Sequence, residues 1–121
     1  MIIKGFSCMI KANEYIKTGF SANDAEALLA VIEPMVTNCE KVRIDFSNIK
    51  IFTTLFFNIA LTKYVVQFGP DKYKDMFEVL NLSEVGQSTY QHSFDNAVEY
   101  YNLSAEQKNK QNELLSAFDE D

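Results

Sequence analysis

Apolar positions fall into short blocks separated by polar turns, and each block keeps one of two periods. Val42-Arg43-Ile44-Asp45-Phe46 alternates residue by residue and runs into Ser47-Asn48, which predicts a central strand ending in a loop. Met76-Phe77-Glu78-Val79-Leu80, closed by Asn81-Leu82-Ser83, predicts another strand. Near the start, the apolar stretches Ile2 to Met9 and Tyr15-Ile16 flank Asn13-Glu14, the pattern of a short β-ribbon. The helical period takes over after Ser21-Ala22-Asn23-Asp24, where Leu28, Leu29, Val31, Ile32 and Met35 follow a near capping box. Pro34 predicts a kink or an early stop there, because its ring removes a backbone donor and crowds the preceding turn. Thr53-Thr54 open a helix to about Phe68, closed by Gly69-Pro70, and Ser83 or Ser88 caps another through roughly Tyr100. Ser104-Ala105-Glu106-Gln107 reads as a fresh cap for a polar helix whose apolar residues, Leu114, Leu115, Ala117 and Phe118, crowd its end before Asp119-Glu120-Asp121.

Strands alternating with helices in this way predict an α/β fold: a small, mostly parallel sheet of about four strands with helices packed on it, and an additional C-terminal helix. At 121 residues the chain has the size of one domain, expected over residues 1–103, with residues 104–121 as a polar helix with an acidic end. One block departs from simple amphipathicity. From Leu55 to Phe68 the apolar residues surround the helix axis, whereas a helix lying on one face of a sheet needs only a stripe. The excess has to be covered by Leu114, Leu115 and Phe118 of the chain's own tail, by a second copy in a homodimer, or by a protein partner.

Charge narrows the partners. Seventeen acidic residues against eleven basic give a net charge of -6, which repels phosphate backbones and anionic lipid, so neither nucleic acid nor membrane is an expected direct partner. The apolar block from Ile49 to Phe68 is interrupted by Lys50, Asn58, Thr62, Lys63 and Gln67, which suits a protein core and not a membrane span. The opening Met1-Ile2-Ile3-Lys4-Gly5 reads as strand and not as a secretion signal. Cys8 and Cys39, too few for a disulfide scaffold and not spaced as CxxC, read as reduced thiols in a cytoplasm, with a bridge between them as the lesser alternative.

Known catalytic and cofactor patterns are missing. Four glycines, at positions 5, 19, 69 and 86, cannot compose GxGxxG or a Walker loop, and GxSxG is absent. His92 is the single histidine, so a serine or cysteine nucleophile has one candidate base and two-histidine metal motifs have none; zinc on Cys8, Cys39 and His92 would require three distant segments to converge. Carboxylate pairs such as Asp24/Glu26 and Asp119/Asp121 sit at a helix start and in the tail, where solvation and the helix dipole account for them. The expectation is a protein that is not an enzyme, with no cofactor and no metal.

Val42-Arg43-Ile44-Asp45-Phe46-Ser47-Asn48-Ile49 followed by Phe52-Thr53-Thr54-Leu55-Phe56-Phe57-Asn58 resembles the Asp-Phe-Ser strand and helix start of STAS-like domains, and most closely the STAS-like family of unknown function. Leu80-Asn81-Leu82 and the capped helix from Ser21 also fit, so the resemblance covers most of Ser21 to Leu82. It implies a STAS-like sheet and a non-catalytic regulatory module. It also implies a protein partner, either a histidine-kinase-like ATPase, as for anti-sigma-factor antagonists, or another regulator. In those antagonists a hydroxyl in an Asp-Ser-Ser-Gly-like loop is phosphorylated. Here Thr53 stands at the Asp position, Thr54 at the phospho-acceptor position, and the Gly is missing. A phosphate on Thr54 would sit favourably at a helix N-terminus, although Ser/Thr at such positions commonly do no more than cap.

The expected partner-binding residues are therefore Asp45, Ser47, Thr53, Thr54, Phe56, Phe57 and Asn58, with Thr54 as candidate phospho-acceptor. A different class of function competes with this one: a small acidic inhibitor, of phage or mobile-element type, that occupies the basic surface of a nucleic-acid-acting protein. Binding of that kind would weaken steeply with salt, whereas apolar docking would not.

Overall fold

The computed structural model describes residues 7–119, with side chains described through Leu103. Three strands, β1 (Ser7–Lys11), β2 (Lys41–Asp45) and β3 (Phe77–Leu80), form a parallel sheet in the order β1-β2-β3. This is one strand short of the expected count among the described residues. Among the described residues the expected β-ribbon is not formed: Ala12–Glu14 make a 3-10 turn, and Tyr15-Ile16 continue as loop with Tyr15 exposed and Ile16 buried.

The helices begin where the capping signals stand. In α1 (Ala22–Asn38) the Ser21 hydroxyl accepts from the Asp24 amide at 3.1 Å and the Asp24 carboxylate accepts from the Ser21 amide at 3.4 Å, the reciprocal pair of a capping box. Pro34 does not end this helix, which runs four residues further to Asn38. The block after β2 is a rod of three parts: α2 (Thr54–Phe57), a π-helical turn (Asn58–Thr62) and α3 (Lys63–Phe68). Gly69 closes it, but Pro70 also opens a helix that the sequence pattern did not announce, α4 (Pro70–Met76), with proline in the first turn where its missing amide costs nothing. Ser83, not Ser88, caps the last helix, accepting from the Gly86 amide at 3.1 Å. That helix, α5 (Glu84–Asp119), is continuous across Ser104, so the expected second capping box is interior to one helix of 36 residues.

Successive parallel neighbours joined by crossovers of one hand carry their helices to one side of a sheet. Burial follows that rule. Ile10, Val42, Ile44 and Phe77 point inward and are buried, while Met9, Lys11, Arg43, Asp45 and Glu78 occupy the other face, which stays half-buried or exposed. Arg43 and Glu78, cross-strand neighbours there, pair at 2.8 Å. Being close to half exposed, that pair contributes about 1 kcal/mol or less.

Most of the rod is covered within the chain, with Leu55 left 51% exposed. The rod packs against α1 on one side and the first half of α5 on the other. The tail residues Leu114, Leu115 and Phe118 lie outside the described side chains; Tyr90, Ser93 and Ala97 do the covering. Tyr90 meets the Phe57 ring edge-on at 5.2 Å, and the fully buried Ser93 hydroxyl donates to Asn58 Oδ1 at 2.6 Å while lying 2.8 Å from the buried Thr62 hydroxyl. Buried hydroxyls are tolerated when every group finds a partner, and this seam meets that condition. A second, partly buried pair, Tyr73 Oη and Tyr90 Oη at 2.7 Å, ties α4 to α5, and burial pushes both phenols above their ordinary pKa, that of Tyr73 strongly.

Cys8 and Cys39 are joined in a disulfide, with Cα atoms 6.1 Å apart, which corrects the expectation of two separate reduced thiols. The reason is topological: a parallel β-α-β unit brings the starts of both strands to one end of the sheet. Cys8 lies opposite Val42 in the register, three residues beyond Cys39. His92 does not join them. Its Nε2 faces the Asn96 amide at 3.4 Å, and among the described residues no group of three or more His, Cys, Asp and Glu side chains could hold a metal. No helix among them is long and apolar enough to cross a membrane.

Candidate functional site

The segments that leave the carboxyl ends of the three strands converge on one ring, that of Phe52. From β1, residues 12–20 run to an isolated parallel bridge between Gly19 and Phe52, in which the Gly19 amide donates to Ile51 O at 2.7 Å and the Thr53 amide donates to Gly19 O at 2.9 Å. From β3, the start of α5 brings Gly86 to the opposite edge of the ring. A Cβ on Gly19 would lie 2.5 Å from Phe52 Cδ1, and one on Gly86 2.9 Å from Cε2, so both close approaches depend on the absence of a side chain. Phe52 in turn stacks on Phe57 at 5.2 Å and meets Phe46 edge-on at 5.6 Å.

The neighbours of this buried ring are exposed. Phe20, Ile51, Leu55 and Val85, which flank Gly19, Phe52, Thr53 and Gly86 in the chain, are 59%, 54%, 51% and 63% exposed. Each of these four exposed apolar residues lies within two positions of Phe52 or of a residue that holds it, and together they are termed the rim; they follow the carboxyl ends of the strands, the side on which open α/β sheets carry their binding sites.

The residues singled out in the sequence divide into three groups. Asp45 and Ser47 form the turn that ends β2. Asp45 Oδ1 accepts from the Ser47 amide at 2.9 Å, the Ser47 hydroxyl at 2.6 Å and the Asn81 side-chain amide at 3.0 Å, which also fastens the end of β3. The hydrogen bonds from Ser47 and Asn81, with the charge of Lys11 beside them, hold the Asp45 carboxyl below its ordinary pKa. This turn leads through Asn48, whose φ of 69° is within reach of asparagine. The Asp-Phe-Ser sequence is thereby accounted for as a turn plus a core aromatic, since Phe46 is fully buried.

Thr53 is the helix cap: its hydroxyl accepts from the Phe56 amide at 3.1 Å and donates to Phe20 O at 2.8 Å, joining the loop from β1 to the helix start. Thr54, half-buried at the first helical position, does not share the capping role. Phe56 and Phe57 are fully buried, which corrects their expected place on a contact surface: they are core, and a partner cannot reach either side chain. Asn58 is exposed but its Oδ1 is taken by Ser93, so it belongs to the seam with α5. The rim residues Phe20, Ile51, Leu55 and Val85 were not among those singled out. The available signal was position for Phe20, which sits between Gly19 and an N-cap serine; for Ile51, between the buried Ile49 and Phe52 in the same loop, the sequence carried none.

No curated protein and no solved structure matches the chain. A family model described as a STAS-like domain of unknown function (DUF4325) matches residues 24–87, from the first turn of α1 to the first turn of α5. With a little over half of its length matched, the chain belongs to that STAS-like family.

Proposed function

We propose that the chain is a non-catalytic regulatory module of the cytoplasm that binds a protein partner on the rim around Phe52. The observation that carries this reading is the exposure of Phe20, Ile51, Leu55 and Val85 about a ring that three loops hold in place. Apolar groups fixed on a rigid base bind without a large ordering cost, so the rim is suited to a preformed surface of a folded partner. A histidine-kinase-like ATPase or another regulator is the class of partner that the STAS-like family brings to mind. Thr54 stands between Thr53 and Leu55 in this rim and is the proposed phospho-acceptor. A phosphate there would place charge among apolar contacts and weaken docking by desolvation.

The test is capture of the partner from host extract with the tagged full-length chain and with the double variant Ile51→Glu/Leu55→Glu, at low and high salt. A stoichiometric protein retained at high salt by the native chain and lost from the variant is the expected result. Equal capture by both chains overturns the rim as the contact. A nucleic-acid-acting protein released by salt would favour the acidic-inhibitor reading, for which the net charge of -6 is the supporting observation.

A further inference from the structure

We propose that Cys8 and Cys39 form a reversible thiol–disulfide site, which clamps β1 to the exit of α1 when oxidised and releases it when reduced. Topology brings the two residues together, as the parallel register shows, and their Cα separation of 6.1 Å lies within the range a disulfide spans. The pair therefore closes without displacement of the strands.

Three features favour a switch over a permanent staple. Both cysteines are half-buried, and a groove of about 610 Å³, lined by Cys39, Phe68, Lys72 and Met76 among others, opens beside one of them. An exchange partner of small size has access there. Neither cysteine belongs to the fully buried core, which runs from Ile10 and Val42 through Phe46 and Phe57 to Tyr73 and Ala97. Cys39 packs against the edge of that core without being enclosed by it. Finally, β1 lies at the end of the sheet, and among the described residues its strand pairing is to β2 alone. In reducing surroundings a disulfide is usually transient and redox-sensing.

The clamp also has leverage on the segment that follows it. The crosslink spans 31 positions and encloses β1, residues 12–20 and α1. Residues 12–20 include Asn13, whose side-chain amide donates to Ser47 O at 3.2 Å, and Gly19, bonded to Ile51 and Thr53. Freeing β1 loosens the anchor of this loop from its strand end.

The chemistry balances with a low-molecular-weight disulfide such as oxidised glutathione as oxidant. One cysteine thiolate attacks a sulfur of that disulfide, forming a mixed disulfide and expelling one glutathione thiolate. The second cysteine thiolate then attacks the protein sulfur of the mixed disulfide and expels the other glutathione. The protein loses two protons and two electrons, and one glutathione disulfide becomes two thiols.

The experiment equilibrates the full chain in a series of reduced and oxidised glutathione mixtures, traps free thiols with a maleimide, and reads intact mass, thermal midpoint and amide exchange. The expected result is a single transition inside the series, from two labelled thiols to none at monomer mass. The reduced form should melt about 10 °C lower. Its faster amide exchange should be confined to residues 7–20, and Cys8→Ser/Cys39→Ser should match it and ignore the oxidant. A pair that stays closed across the whole series, thiols that stay free at its oxidising end, bridges between chains, global unfolding on reduction, or unchanged exchange in residues 7–20 would each overturn the proposal.

Discussion

Ile51 and Leu55 on one side, Phe56 and Phe57 on the other, lie within seven residues of one another and carry comparable apolar bulk. Their fates are opposite: the first pair is 54% and 51% exposed, the second fully buried. Hydrophobicity does not separate them; position does: Ile51 precedes the helix, and the cap sets Leu55 apart from Phe56 and Phe57. Thr53 fixes where the helix begins, and with it the face on which each following residue stands. Phe56 and Phe57 then turn into the aromatic nest of Phe46, Phe52 and Tyr90, and Leu55 turns away. An exposed apolar pair and a buried one share the same short stretch. Binding assays on that stretch are informative only when the substitution falls on the outward pair.

The comparison breaks most visibly at Phe57. Its ring touches Phe46 at 5.9 Å, Phe52 at 5.2 Å, Phe56 at 5.3 Å and Tyr90 at 5.2 Å, so truncation removes the centre of the nest. Phe57→Ala should cost about 3–5 kcal/mol in denaturant unfolding, a large share of the stability of a domain of this size. A loss below about 1 kcal/mol would mean that the site collapses without a cavity and that the nest is not the core. Phe56→Glu would be worse, because a fully buried position has no route for a charge to water.

A smaller effect is expected at the turn that ends β2. Asp45→Asn keeps the size of the side chain but removes the charge that accepts three hydrogen bonds, and should cost about 1 kcal/mol at neutral pH. The folded carboxyl is held below its ordinary value of 3.8 by Ser47 and Asn81. The stability it supplies is therefore present above 3.8 and is lost as pH falls from there through the lower folded value. Unfolding measured from neutral pH down to strong acid should show the variant flatter than the native chain in that window. Parallel curves would show that the turn does not draw on the charge.

What was legible in the sequence was local. The strands β2 and β3, the Ser21/Asp24 capping box and the Gly69 stop each depend on residues a few positions apart, and each formed where its signal stood. What was not legible depended on the assembled topology. The pairing of Cys8 with Cys39 follows from strand starts sharing one end of a parallel sheet, which no spacing rule for cysteines contains. The coat around the rod comes from Tyr90, Ser93 and Ala97, in a helix whose overall polarity hid that one face was needed inside. The false start at Ser104 failed for the complementary reason: a capping sequence starts a helix only when something has stopped the previous one, and neither Gly nor Pro precedes it. For the candidate site, Thr53 stood in the right place but with a structural task, and the exposed rim emerged only once burial was known.

Stability is expected to change least at the outward pair. Ile51→Glu/Leu55→Glu places two charges where the residues are 54% and 51% exposed, so each carboxylate reaches water and only part of the apolar contact is lost. Surface substitutions of this kind stay within about 0.5 kcal/mol per site. Leu55 lies in the first turn of the rod, where a carboxylate also interacts favourably with the helix N-terminus and offsets part of any loss. Denaturant unfolding of the double variant should therefore superimpose on that of the native chain. If instead it unfolds several kcal/mol earlier, the rim is a second core, and loss of a partner by that variant would report unfolding. An unchanged midpoint together with a lost partner separates the surface from the nest beneath it, which no substitution at Phe56 or Phe57 can do.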